Sequence, residues 1–371
     1  MPSDGLFEKS IVTEAITLDS FYRADKPFLI VCYGAGKDSS GLLVLLAHLG
    51  IRPDLIIFSN TGSERGKTYD YLPIMNAWLR SVGFPEITVV SAERTRDKSI
   101  EAHCFRLGIF VGLSYGKHNC SVIWKIEGQN RFVENHLPVI EARRQGRQIC
   151  RMVGFHKGEE YRARRADENA VQEITGADGC KRTTAFALSP DKNSITLFPL
   201  IEQGIDFDGV CELIWGEGLP LPVKSACFLC AARTELEIYQ LSQEEPHLFF
   251  RSLVLERVVQ RNQVVKAGRV VGISFGKKWS DYECADPYAD RIDEVIELFG
   301  LDRAVEDAIP NPKSVSWRPK AMRVELFQEC FGTAENLRRF MDNELDMSVY
   351  AEKVQEINSM DIGERQMALP M

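Results

Sequence analysis

Apolar residues fall along this chain in two rhythms. Phe28–Tyr33 is an unbroken apolar run of strand length, and Pro53–Phe58, Ile87–Val90 and Met152–Phe155 are further short strand-like segments. Continuous runs of this kind suit strands buried on both faces. Between them the period lengthens. Ser39–Leu49 is almost wholly apolar and stops at Gly50, while Leu72, Met75, Leu79 and Val82 recur at helical spacing within 68–82. Strand alternating with helix on this scale predicts an α/β fold with a doubly wound, mainly parallel sheet. A polar stretch, Gly176–Ser194, reads as a loop or hinge, and Phe207–Trp215 as a short helix.

Beyond about residue 235 the rhythm is mainly helical. Ser242 and Glu245 have capping-box spacing and predict a helix running to about Gln263, with Pro246 tolerated in its first turn. Ile292, Val295, Ile296 and Phe299 form a stripe closed by Gly300, and helices are expected over Lys320–Phe331 and Thr333–Leu345. Val270–Phe275 reads as a late strand. The predicted division is a lead-in over 1–26, an α/β domain over 27–235, a helical region over 236–349 and a loose tail over 350–371.

A chain of 371 residues with 44% hydrophobic content can bury full cores. Its net charge of −8 excludes a surface that is basic throughout, but Arg143, Arg144, Arg147, Arg151, Lys157, Arg162, Arg164 and Arg165 crowd one short span. That span is a candidate nucleic-acid contact, or a solvated charged face. No segment has the length and apolarity of a membrane span, and residues 1–26 lack signal-peptide features, so a cytoplasmic location is expected. Ten cysteines in such a compartment read as thiols or metal ligands before disulfides.

The chemistry centres on Gly34-Ala35-Gly36-Lys37-Asp38-Ser39-Ser40, between the first strand and the first helix. Glycines allow a sharp turn and close ligand approach, and Asp38, Ser39 and Ser40 are able to cap the helix. The free amides of a helix start, with Lys37, make an anion cradle suited to phosphate. The spacing matches neither a Walker A loop nor the dinucleotide fingerprint. A second polar loop, Ser59–Glu64, follows the second strand at the sheet edge where ligands bind. Cys227 and Cys230 form a C-x-x-C pair able to hold a metal ion or cluster edge, or to close a redox disulfide.

The first loop resembles the PP-loop, Ser-Gly-Gly-x-Asp-Ser, of N-type ATP pyrophosphatases and sulfonucleotide reductases, with Gly34 and Ala35 replacing its first two residues. Phe58-Ser59-Asn60-Thr61-Gly62-Ser63-Glu64 and Thr68-Tyr69 resemble a second element of the phosphoadenosine phosphosulfate reductase family, with Asn60 where relatives carry Asp. The nearest likeness is to a phage and bacterial subgroup. The resemblance spans roughly residues 25–235 and implies an adenine nucleotide alpha hydrolase-like fold binding ATP with Mg²⁺. It assigns nucleotide contacts to Gly34, Gly36, Lys37, Asp38, Ser39, Ser40, Asn60, Thr61, Gly62, Glu64, Lys125, Gly154, Glu159 and Arg162, with Lys37, Asp38 and Arg162 closest to the chemistry.

The same resemblance groups Cys120, Cys227 and Cys230 as three of the four cysteines that hold an iron–sulfur cluster in relatives. It implies a [4Fe-4S] cluster, with structural zinc or free thiols as alternatives. The family's C-terminal Glu-Cys-Gly-x-His motif is absent, since Cys330 is followed by Phe331 and Gly332 inside an amphipathic helix. The expected activity is cleavage of ATP at the α-phosphate to adenylate an acceptor, coupled to sulfur transfer from a donor protein. The alternatives are a reductase or binder of an adenylyl sulfate, and a nucleic-acid-directed accessory protein using the Arg143–Arg165 span.

Overall fold

The computed structural model describes residues 27–91, 97–110, 119–165, 167–168, 170–175, 181–188, 194–262, 272–274, 277–302 and 317–367. The expected lead-in over 1–26, the chain end over 368–371 and half of the expected strand at 270–275 lie outside them. Among the described residues no helix is long and apolar enough to cross a membrane.

By its internal contacts the chain forms two units. The first takes the chain up to Ser59, then Gly66–Val90 and Gly128–Ser225; the second takes Asn60–Arg65, Ser91–Glu127 and Ala226 onward. Contacts thus divide the chain differently from a single boundary at 235, because two short excursions from the first half fold with the second.

Seven strands make one sheet in the first unit: β1 (Phe28–Tyr33), β2 (Leu55–Asn60), β3 (Ile87–Ser91), β4 (Ile149–Val153), β5 (Val171–Thr175), β6 (Lys181–Leu188) and β7 (Ser194–Leu197). Their order is β3-β2-β1-β4-β7-β6-β5. β1 lies parallel between β2 and β4, with Val31 opposite both Ile56 and Met152, and β4 runs parallel to β7. The expected α/β fold with a mainly parallel sheet is therefore present. Strand order reverses between β1 and β4, and in such sheets the crevice at the carboxyl ends of the strands beside that switch is the ligand edge.

Part of the segment expected to be loop is instead β6, which pairs antiparallel with both β5 and β7. Its alternating sequence, Lys-Arg-Thr-Thr-Ala-Phe-Ala-Leu, buries Ala185 and Ala187. Small side chains carry little hydrophobic signal, so the strand is hidden in composition.

The helix Lys37–His48 buries Leu42 through Leu46, covered from one side by the helix Phe207–Gly216. Only glycine allows that approach at 41, because a Cβ there would lie 2.9 Å from Val210 Cγ1.

The second unit packs helices Ile100–Leu107, Glu235–Glu244, Pro246–Asn262, Ala289–Phe299, Trp317–Cys330, Ala334–Met341 and Ser348–Met367 around one core. Phe249, Phe250, Phe299, Phe327, Phe331 and Phe340 are fully buried there, with Phe331 edge-on to Phe340 at 5.2 Å. The stretch read as a loose tail from 350 lies within the last of these helices, and Val354 and Ile357 pack on the core.

The capping box falls elsewhere than expected. Thr234 and Glu237 form it, at the head of Glu235–Glu244. Ser242 sits inside that helix and donates to Tyr239 O, and Glu245 is taken by Arg65. Pro246 does open the next helix.

Lys320 is 4% exposed. Burial, with Arg323 and Arg106 adding to it, holds its ammonium down to about 8. The folded chain binds this proton less readily than the unfolded one, so the cost is full below pH 8 and fades as pH rises toward the ordinary 10.5. Lys320→Met is expected to stabilise the protein at pH 7 by about 2–3 kcal/mol. Thermal melts at pH 7 and pH 10 should show that gain shrinking at the higher pH.

Candidate functional site

The loop after β1 is held open toward a ligand by its own backbone. Gly36 is the N-cap of Lys37–His48 and supplies no side chain to close the helix end. Asp38, Ser39 and Ser40, expected as caps, lie inside the first turn. Ser39 braces the loop instead: its hydroxyl accepts from Gly34 N–H at 3.1 Å and donates to Gly36 O at 3.1 Å. Ser40 is fully buried, its hydroxyl 3.1 Å from the Tyr33 phenol.

The amides of Lys37, Asp38 and Ser39 therefore face outward from an uncapped helix start. Ala35 stands at φ 57, a left-handed position that glycine adopts without penalty. A Cβ on Gly36 would fall 3.1 Å from that of Ser225. Lys37 Nζ lies 5.3 Å from the Phe207 ring centroid.

The end of β4 is pressed onto this loop. A Cβ at Gly154 would sit 2.6 Å from Asp38 O and 2.9 Å from Ser39 Cα. These are backbone atoms that cannot swing aside. Gly154→Ala is expected to cost about 2–3 kcal/mol by overpacking. Gly216→Ala, where nothing lies within 4 Å, should be nearly neutral when both variants are compared by urea titration.

Beyond Gly154 the chain brings His156 and Glu159 to Asp38, so that one ligand atom from each lies within 4.8 Å of the others. Asp38 Oδ1 is buried without a hydrogen-bond partner. Burial, then the nearby Glu159 carboxylate, raises the Asp38 carboxyl above its usual range. Arg162 Nη1 donates to both Glu159 oxygens, at 2.8 and 3.0 Å, and its guanidinium stacks on Phe155 at 4.1 Å.

The wider arginine span divides. Arg147 and Arg144 pair with Asp54 and Glu141, and Arg151 lies half-buried on β4. Arg143, Lys157, Arg164 and Arg165 are exposed.

A second group is built within the other unit. Asn60 Oδ1 accepts from Gly62 N–H at 2.8 Å, a local turn that needs the shape of an Asx side chain and no charge. Gly62 stands at φ 67, and a Cβ there would meet Lys98 O at 2.5 Å. Thr61 Oγ1 donates to Glu64 Oε1 at 3.1 Å and lies 3.3 Å from Cys227 Sγ. Glu64 and Cys227 form an isolated antiparallel bridge. Lys125 Nζ lies 3.3 Å from Glu64 Oε1, while Glu64 Oε2 is buried with no partner.

Cys230 N–H closes the C-x-x-C turn onto Cys227 O at 3.0 Å. Arg233, itself buried, donates to the carbonyls of Ala226, Cys227 and Phe228 at 3.1–3.3 Å. Burial, with Glu64 adding to it, pushes the Cys227 thiol far up, and burial likewise raises Cys230, with Cys120 among its electrostatic neighbours. Burial alone would lower Lys125, but Glu64 and Cys227 hold it above the ordinary lysine value.

No protein-family model and no curated protein matches the chain. One solved structure that the chain matches is that of the U34-tRNA thiolase NcsA from Methanococcus maripaludis with its [4Fe-4S] cluster. It is 15% identical, the match covers 69% of this chain and 82% of that one, and the TM-score is 0.33.

The residues expected to form one nucleotide set therefore fall into two groups. Gly34, Gly36, Lys37, Asp38, Ser39, Ser40, Gly154, Glu159 and Arg162 belong to the first unit. Asn60, Thr61, Gly62, Glu64 and Lys125 belong to the second, with Cys120, Cys227 and Cys230. Lys125, expected on a phosphate, is engaged by Glu64.

The three thiols test a metal or cluster by their donor chemistry. They are the right ligands for iron or zinc. Among the described residues, however, they do not meet within 4.8 Å of one another. Tetrahedral zinc wants sulfurs about 3.8 Å apart, from its Zn–S bonds of about 2.3 Å. An iron–sulfur cluster, whose ligands sit on different irons, accepts a wider spread. Sequence reasoning missed His156, Arg233 and Ser225. Only His156 carried a signal, as a ligand-type side chain three residues before Glu159.

Proposed function

We propose that the chain binds ATP with its phosphates on Gly34–Ser40, cleaves it between the α- and β-phosphates to adenylate an acceptor, and exchanges the adenylyl group for sulfur. The observation that carries this reading is the uncapped helix start behind a loop that turns at a left-handed Ala35, with Lys37 in its first turn. An acceptor oxygen attacks the α-phosphorus, the bond to the β-phosphate breaks, and pyrophosphate leaves. Lys37 and the amides of the first turn meet the charge that gathers on the departing oxygens. Arg162, already oriented by Phe155 and Glu159, offers a second cation. A sulfur nucleophile then attacks the activated acceptor carbon and AMP departs.

Cys120, Cys227 and Cys230 would hold a [4Fe-4S] cluster, which supplies an iron able to carry sulfide. Within that group Arg233 fixes the C-x-x-C turn, and Lys125 with Thr61 favours the Cys227 thiolate. Cys330 is wholly buried in the core, which speaks against a reductase cysteine at that position. Arg143, Lys157, Arg164 and Arg165 offer an exposed basic surface for a phosphate-bearing acceptor. Its nucleic-acid affinity should fall steeply with salt.

The deciding experiment follows ATP by ³¹P NMR with candidate acceptors. AMP and pyrophosphate in equal amounts support the reading. ADP and phosphate, or calorimetry in which ATP releases no heat of binding, removes it.

A further inference from the structure

Asp38, His156 and Glu159 are more than neighbours of the phosphate loop. We propose that they form a site for a divalent transition ion, with Mn²⁺ as its probe, that fills without nucleotide. Three independent features point to it. First, an oxygen or nitrogen of each residue lies within 4.8 Å of the others, from two segments locked together by the backbone approach of Gly154 to Asp38. Second, Asp38 Oδ1 is buried with no hydrogen-bond partner, a cost that native structures accept where something else meets the oxygen. Third, His156 Nδ1 lies 2.7 Å from Lys157 O. A carbonyl only accepts, so Nδ1 carries the proton and Nε2 keeps its lone pair for a metal. This is the outer-shell bond that orients metal-binding histidines.

Glu159 is not consumed by Arg162. Each of its oxygens accepts one N–H and retains a lone pair. Two carboxylates and an imidazole suit Mn²⁺ or a neighbouring first-row ion better than Mg²⁺, which prefers an all-oxygen shell rich in water. In a six-coordinate ion three positions stay open. That phosphate oxygens fill them rests on the proposed ATP reading; the site itself does not.

The test uses the full chain, stripped with chelator and dialysed, and titrated with MnCl₂ while EPR counts the free ion. Mn²⁺ is chosen because thiolates bind it weakly, so the cysteines compete little. One Mn²⁺ per chain is expected without nucleotide, still bound under a tenfold excess of Mg²⁺. His156→Ala should weaken it at least tenfold and His156→Asp, which restores a ligand, should recover most of it. Thermal midpoints within 2 °C of the parent, the shift of a substitution that disturbs little, identify variants that fold. Absence of uptake, displacement by equimolar Mg²⁺, or uptake unchanged in a folded His156→Ala variant overturns the inference. Calorimetry with ATP in chelator separates the two readings: ATP binding without Mn²⁺ uptake sinks only the metal site, and Mn²⁺ uptake without ATP binding sinks only the nucleotide.

Discussion

Lys37→Ala is expected to weaken pyrophosphate and ATP binding about tenfold to a hundredfold, the equivalent of the roughly 1.5–3 kcal/mol that a hydrogen bond to a charged group contributes. The effect is large because the cradle has few charges of its own. Its other donors are backbone amides of the helix start, which no side-chain substitution removes. Lys181, exposed at the start of β6, is the control, and Lys181→Ala should change affinity less than twofold. Calorimetry with pyrophosphate alone isolates the phosphate contacts from the adenosine. Equal affinities for parent and Lys37→Ala would show that the anion is not held at this loop.

Cys227→Ser is expected to remove nearly all iron and acid-labile sulfide from protein purified without oxygen. Serine cannot supply a soft thiolate, and this position is the most deeply set of the three proposed ligands. Cys284→Ser, in the same unit and outside the group, should keep the iron and the brown colour. Arg233→Ala should lower iron occupancy as well, since three carbonyls of the C-x-x-C segment lose their shared donor. Its instability, roughly 2–4 kcal/mol for buried acceptors left unpaired, is to be read alongside by denaturant titration. Colourless anaerobic protein with one zinc per chain, or with no metal, would reject the cluster.

What the sequence discloses follows the reach of the interactions involved. The loop at 34–40 was legible because a strand, a glycine turn and a helix start are all local, and the sheet followed from apolar runs. Which residue caps the helix was not, because Ser39 had two partners open to it and chose Gly34 and Gly36 within the loop. The capping box at 234–237 lost to a decoy at 242–245 for a tertiary reason: Arg65, distant in sequence, takes Glu245. Glu64, Lys125 and Cys227 were each singled out, but their meeting depends on the fold of the second unit. His156 goes unassigned in the sequence, since nothing local tells that Asp38 packs against the end of β4.

The segment carrying Lys125 is wound as a π-helix over Val122–Ile126, directly after the short helical turn that carries Cys120. In a regular α-helix residues five apart point about 140° away from each other; the wider winding absorbs one residue and brings them to within about 40°. Rewinding Val122–Ile126 as a regular α-helix with no residue removed would turn positions 120 and 125 apart, whereas deleting Ile123 would leave them four α-helical residues apart and still on one side. The winding of one turn, and not the identity of any side chain in it, therefore sets whether positions 120 and 125 share a side.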